Sequence, residues 1–140
     1  MCCVTCHKNK RLSSEDNLPV IKCPVVHYRN CCFYYCFYSG GRWETENYGV
    51  DYGVADSVMG PYSDAGNENG PRVLRSHPGY VLGPGHNSIV LGPNGQTEYI
   101  VYHAWATNMA MRQMWIDQLI WTPDGPRCNG PSWTPQAIVN

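Results

Sequence analysis

Neither sign of charge is in excess: ten Lys and Arg stand against eleven Asp and Glu, for a formal net charge of -1 over 140 residues. Nucleic acid and anionic membrane surfaces are held by a field of uncompensated positive charge, so neither is an expected partner. Long apolar runs are missing too. The longest, Cys31 to Tyr38, falls far short of the roughly 20 residues that a membrane-spanning helix needs, and a soluble protein is expected. Met1 to Lys10 carries polar and basic residues where a signal peptide has its apolar region, so no secretion signal is visible and localisation stays unassigned. Cysteine is scarce after position 36, since seven of the eight lie at or before it and only Cys128 follows. A disulfide framework normally staples the whole of a small domain, and this skew argues against one.

What is abundant points to strands. Gly 14, Pro 11, Tyr 10 and Trp 5 favour short aromatic strands joined by tight turns, which makes all-β the expected class. An internal repeat sharpens this. Lys22, Asn30 and Tyr38 are spaced by eight residues, as are His86, Asn94 and Tyr102, and the two sets are offset by 64. Each copy reads as strand, turn, strand, with Asn94-Gly95 as a two-residue hairpin turn in the second copy and Asn30-Cys31 in the first. A third strand follows in both, Tyr48 to Ala55 and Arg112 to Trp121, closed by Ser57 to Pro61 and Thr122 to Pro126 at an offset of 65. The region from Pro71 to Leu82 is left for a fourth strand of the first copy. Successive hairpins repeating at this length are the mark of propeller blades. The expected architecture is a β-propeller fragment of two four-stranded antiparallel blades, near 20–82 and 83–135, after a poorly ordered Cys-rich segment 1–19. Two blades cannot close a ring, so one blade face is left uncovered and self-association is expected.

Phe37-Tyr38-Ser39-Gly40-Gly41, Asn47-Tyr48-Gly49-Val50, Gly83-Pro84-Gly85-His86-Asn87-Ser88, Val101-Tyr102-His103-Ala104-Trp105, Met114-Trp115-Ile116-Asp117 and Trp121 to Pro126 together resemble the last two blades of glycoside hydrolase family 43. The resemblance runs in order over roughly residues 20 to 135. It implies a five-bladed propeller that hydrolyses O-glycosidic bonds of arabinan, xylan or related oligosaccharides with inversion, without a required cofactor. The partner it implies is an arabinose- or xylose-containing oligosaccharide. Inverting hydrolysis needs a carboxylic acid and a carboxylate base roughly 6.5–9.5 Å apart. In the family the base and a second, tuning aspartate come from earlier blades. The acid is the glutamate of a Glu-Gly-Pro motif, and the matching tripeptide here is Lys22-Cys23-Pro24. An ammonium group with a pKa near 10 holds its proton too tightly to act as an efficient acid at neutral pH. Such departures cluster before residue 37, as in an altered copy of an ordinary family sequence.

The resemblance places His86 at the central channel, where it implies a calcium or sodium ion held through water; a hydrogen-bonded core histidine is the other reading, because imidazole is not a preferred ligand for hard cations. Arg112 matches an arginine that reaches the sugar subsite, and a solvated edge arginine is its alternative. Trp43, Tyr48, Trp105 and Trp115 suit either sugar stacking or packing between blades. Glu44 and Glu46, the clustered acids nearest the site, read as solvated. Cys3-Val4-Thr5-Cys6-His7 has the spacing of covalent haem attachment and, with Cys2, of half a zinc site. The polar flanks and the lack of a paired partner favour a cysteine-rich tail over either.

Overall fold

The computed structural model of the chain describes residues 22–29, 33–66 and 69–140. Seven strands follow one another: β1 Lys22–Arg29, β2 Phe33–Gly40, β3 Gly49–Ala55, β4 Leu82–Leu91, β5 Glu98–Trp105, β6 Arg112–Thr122 and β7 Gly125–Cys128. They pair only with sequence neighbours, in the orders β1-β2-β3 and β4-β5-β6-β7, and every pairing is antiparallel. The Cys-rich motif around Cys3, Cys6 and His7, the segment 1–19 and the turn at Asn30-Cys31 lie outside the described residues. No helix among the described residues is long and apolar enough to cross a membrane.

The second sheet has the four strands that the repeat predicts. In the first sheet three strands are continuous and the fourth place is filled in two pieces: Ser63 bridges to Val54, and Leu74 bridges to Val50. Eleven residues separate these partners on one side against four on β3, so the chain leaves the sheet between them. The intervening sequence explains why. Pro71 has no N–H to offer a ladder, and Gly66 and Gly70 adopt positive φ. Arg72 ties the excursion down: its Nε donates to Asp51 at 2.6 Å and its terminal NH2 group to Asp64 at 2.7 Å, while the guanidinium lies 3.9 Å over the Tyr52 ring. Of the region assigned to a fourth strand, 71–82, Val73 and Leu74 bond to Val50 of the first sheet; His77 to Val81 forms a turn of its own, bonded His77 to Val81 in both directions.

The hairpin of the second copy also differs in length. Gly92 N–H donates to the Thr97 carbonyl at 2.7 Å, closing a four-residue loop in place of the two-residue turn. The Asn94 carboxamide oxygen accepts from the N–H groups of Gln96 and Thr97, which fixes the longer loop, and Gly95 supplies the positive φ.

Between the sheets, Phe37, Val50 and Tyr52 meet Ile100, Tyr102, Ala104 and Leu119 in one core, with Trp115 and Trp121 packed against it. Strand alternation puts these side chains on facing surfaces, and each large one contributes roughly 1.5–3 kcal/mol when fully buried. Glycine matters most at Gly85, where a methyl group would stand inside the Tyr48 ring; its absence lets β4 pass against that ring.

Candidate functional site

The segment Gly83 to Ser88 opens β4 irregularly. The register against β5 shifts between Leu82 and Gly85 and again between Gly85 and Ser88, and His86 takes φ 56. These bulges redirect side chains at the end of the sheet. By repeat spacing His86 corresponds to Lys22, yet it is Gly85 that pairs with His103, as Lys22 pairs with Ser39. The extra residue turns His86 out to an exposed position, its N–H bonded to the buried Ser39 hydroxyl at 2.7 Å. Asn87 is 1% exposed, and neither its oxygen nor its nitrogen has a hydrogen-bond partner among the described residues. Lys22, described through its backbone, opens β1 opposite Ser39, which puts it at the same end of the fold as His86.

Arg112 opens β6 and gathers the site. Its Nε donates to His103 Nδ1, one terminal nitrogen donates to the Trp43 carbonyl at 2.9 Å, and the other donates to the carbonyls of Gly83 at 2.7 Å and His103 at 2.8 Å. Four of the five guanidinium N–H groups are thus bonded within the protein, and one remains for a ligand. The Trp43 carbonyl also accepts from Trp105 Nε1 at 2.9 Å, and the two indoles stack with centroids 6.0 Å apart. The cation lies 5.2 Å from the Trp105 ring and 5.6 Å from that of Tyr48. Burial holds the Arg112 pKa below its ordinary value, with Tyr48 acting in the opposite direction.

His103 was not singled out as a site residue in sequence, although Tyr-His-Ala-Trp contains it and it stands 64 positions after Ser39. Its Nδ1 accepts from Arg112, which leaves the ring proton on Nε2. Burial, then the Arg112 charge, then His86, whose ring lies 5.1 Å away, lower its pKa to about 4. The unfolded chain, with a histidine pKa of about 6.5, takes up a proton that the folded site refuses. Stability is therefore full above about pH 6.5 and falls as the pH drops from there toward 4. An NMR titration should show the His103 ring changing with a midpoint about 4; a midpoint near 6.5 would mean that the Arg112 bond is not formed.

The four aromatic residues separate by surroundings. Tyr48 is 1% exposed and Trp115 packs on the core, so both serve packing, whereas Trp43 and Trp105 form the stacked rim beside Arg112. The Glu44 and Glu46 side chains are exposed and bond to no described residue. A hard cation takes six to eight oxygen ligands. Around His86 the described residues offer one orphaned carboxamide oxygen, that of Asn87, beside two imidazoles, and no group of three His, Cys, Asp or Glu is gathered among them. Among the described residues these donors supply fewer oxygens than such a shell takes. Burial pushes the Cys128 thiol up to about 12, so it is unreactive at neutral pH.

Known proteins resemble the chain in both sequence and fold. A profile for glycosyl hydrolases family 43 matches residues 4–126. A β-D-galactofuranosidase of Aspergillus niger is 41% identical over 80 residues, which is 57% of this chain and 22% of that protein. The structure superimposes on a thermostable family-43 glycoside hydrolase with a TM-score of 0.71 and 29% identity, covering 84% of this chain and 38% of the other. An α-L-arabinanase of Cellvibrio cellulosa gives 0.63 and 26%, over 78% and 36%. The chain thus spans well under half the length of these relatives, and its two sheets are neighbouring blades of a five-bladed propeller. With the profile covering most of its length and the fold agreeing, this chain belongs to glycosyl hydrolases family 43.

Proposed function

We propose that these 140 residues form the sugar-holding portion of a family-43 glycosidase acting on arabinan- or xylan-type saccharides, and that by themselves they bind without hydrolysing. The observation that carries this reading is the composition of the Arg112 cluster. It presents one open guanidinium N–H, the Nε2–H of a neutral His103 and the Trp43–Trp105 rim, with no carboxylate bonded to any of them among the described residues.

Donors of this kind suit sugar hydroxyls, and the indole faces suit the apolar side of a sugar ring. In the full reaction the cluster would orient the substrate while two carboxylates do the proton transfers. The residue at the acid's position is Lys22, at the start of β1, and the base is supplied by neither blade. A non-catalytic remnant or sugar-binding fragment is the second reading, favoured by the same lysine. The test is release of product from aryl arabinosides and xylosides by the purified chain; release above the solvent rate that Arg112→Ala abolishes would overturn the proposal.

Self-association belongs to the same proposal. On the face of the second sheet turned away from the core, Met114 is 81% exposed and Val90 41%. Covering such a face by a second copy removes it from water. Sedimentation of the reduced chain at micromolar concentration should show species larger than a monomer, and a single compact monomer would refute this part.

A further inference from the structure

A second cluster of rings stands apart from the Arg112 site. Tyr80 and Trp133 stack with centroids 4.0 Å apart and planes 17° from parallel, and the His77 ring packs 5.3 Å from the first and 4.7 Å from the second. Tyr80 and Trp133 are each 47% exposed, a costly state for two large aromatic side chains already in contact. The turn carrying His77 and Tyr80 is held by three backbone bonds and anchored by the fully buried Val81, so these two rings are positioned before any ligand arrives. The Tyr80 hydroxyl, the Trp133 indole N–H and the His77 ring nitrogens bond to no described residue. The trio shares no hydrogen bond or ring contact with Arg112, His103 or His86.

A cavity of about 240 Å³ is lined by Pro71, Arg72, Val73, Arg75, Arg127, Cys128 and Gly130. Arg75 precedes His77 by two residues and Gly130 precedes Trp133 by three, so the same two stretches of chain line the cavity and carry the rings. Asp51 and Asp64 neutralise Arg72. Arg75 and Arg127 have no such partner among the described residues: each donates once, to the carbonyls of Asn69 and Pro126 respectively. Most of their N–H groups stay open.

We propose that this surface is a second saccharide subsite selective for an acidic sugar: one ring of the saccharide lies on the Tyr80–Trp133 platform and a uronate carboxylate reaches Arg75 and Arg127. Planar carboxylates are the natural partners of guanidinium groups, while the C–H face of a sugar suits an aromatic ring with hydrogen-bonding edges. The choice of a saccharide rests on the glycosidase reading, but binding here needs nothing from the Arg112 cluster.

The test is an NMR titration of the isotopically labelled 140-residue chain with a xylo-oligosaccharide carrying one glucuronic acid branch, with the neutral oligosaccharide of the same length, and with free glucuronate. Saturable shifts of the Trp133 indole N–H are expected, with the acidic oligosaccharide binding at least about fivefold tighter than the neutral one at low salt and free glucuronate weaker than either. That preference should vanish near 0.5 M salt, where charges are screened over about 4 Å, and in Arg75→Gln/Arg127→Gln. Trp133→Ala should remove binding and Trp133→Phe should retain it, both read from the backbone amide shifts of His77 to Val81, each variant showing the parent amide spectrum when free. Equal affinity for the two oligosaccharides, tightest binding of free glucuronate, or shifts confined to Arg112 and His103 would overturn this subsite. The last result would leave the Arg112 reading standing.

Discussion

Placing glutamate at position 22 of the 140-residue chain leaves aryl-arabinoside and aryl-xyloside hydrolysis at the solvent rate, whereas Lys22→Glu in a polypeptide that also carries the preceding blades raises turnover by about 10²–10⁴-fold. The two halves test different requirements. A positioned acid contributes that factor only when a base activates water on the other side of the sugar, since the steps act together. Among the described residues the Arg112 cluster contains no carboxylate that could be that base, and the Glu44 and Glu46 side chains are exposed without a bond to hold them. Restoring the acid alone cannot complete the pair. Steady-state release of the aryl group, compared with a mock preparation, measures both. Activity in the Lys22→Glu chain alone would mean that a group within these two blades serves as base, with Glu44 first to be replaced.

Arg112→Ala is expected to lower the stability of the chain by about 3–5 kcal/mol, read as a fall in the urea midpoint. The guanidinium joins Trp43 in the loop after β2, Gly83 at the mouth of β4 and His103 on β5. Its removal leaves a ring nitrogen and three carbonyls to find water in a half-buried place, at about 1–3 kcal/mol for each group left unsatisfied. It also strips the cation from the faces of Tyr48 and Trp105. Small domains have only about 5–15 kcal/mol in total, so this is a large fraction. Arg112→Lys should recover less than half of the loss, because a single ammonium nitrogen cannot span acceptors lying on three sides. The His103 titration midpoint should move up from about 4 in Arg112→Ala, where the neighbouring charge and bond are lost while burial still holds it below 6.5. A midpoint shift within the ±0.5 kcal/mol of an ordinary surface change would show that Arg112 is a solvated edge residue after all.

The architecture could be read from one sequence because its determinants are local. Hairpins are specified by residues close together in the chain, so the 64-residue offset linking Lys22, Asn30 and Tyr38 to His86, Asn94 and Tyr102 located four of the seven strands, and the shared third strand located two more, leaving only the short β7 unread. Family membership followed from the same short motifs. The errors fell where a side-chain bond, rather than the strand pattern, sets the path of the backbone. A two-residue turn at Asn94-Gly95 became a longer loop because the Asn94 side chain captures two backbone N–H groups. The fourth strand of the first sheet was broken where Gly66, Gly70 and Pro71 take the chain out of the ladder and Arg72 bonds to Asp51 and Asp64.

Composition, repeat and motif order by themselves determined that the chain is all-β and that it is a fragment of a propeller. Tertiary structure alone decided what the site residues can do. Arg112 was recognisable as a candidate from its motif, but that four of its five N–H groups are already engaged depends on Trp43 and Gly83, which stand 69 and 29 residues away. The His103 pKa is lowered because folding buries the ring and then brings that cation and a second imidazole against it. His86 faces outward because two bulges shift β4 by a residue, a displacement that repeat spacing cannot register. The reason is the same in each case: strand formation is set by neighbours in sequence, whereas protonation, donor occupancy and side-chain direction are set by whatever the folded chain places within a few ångströms.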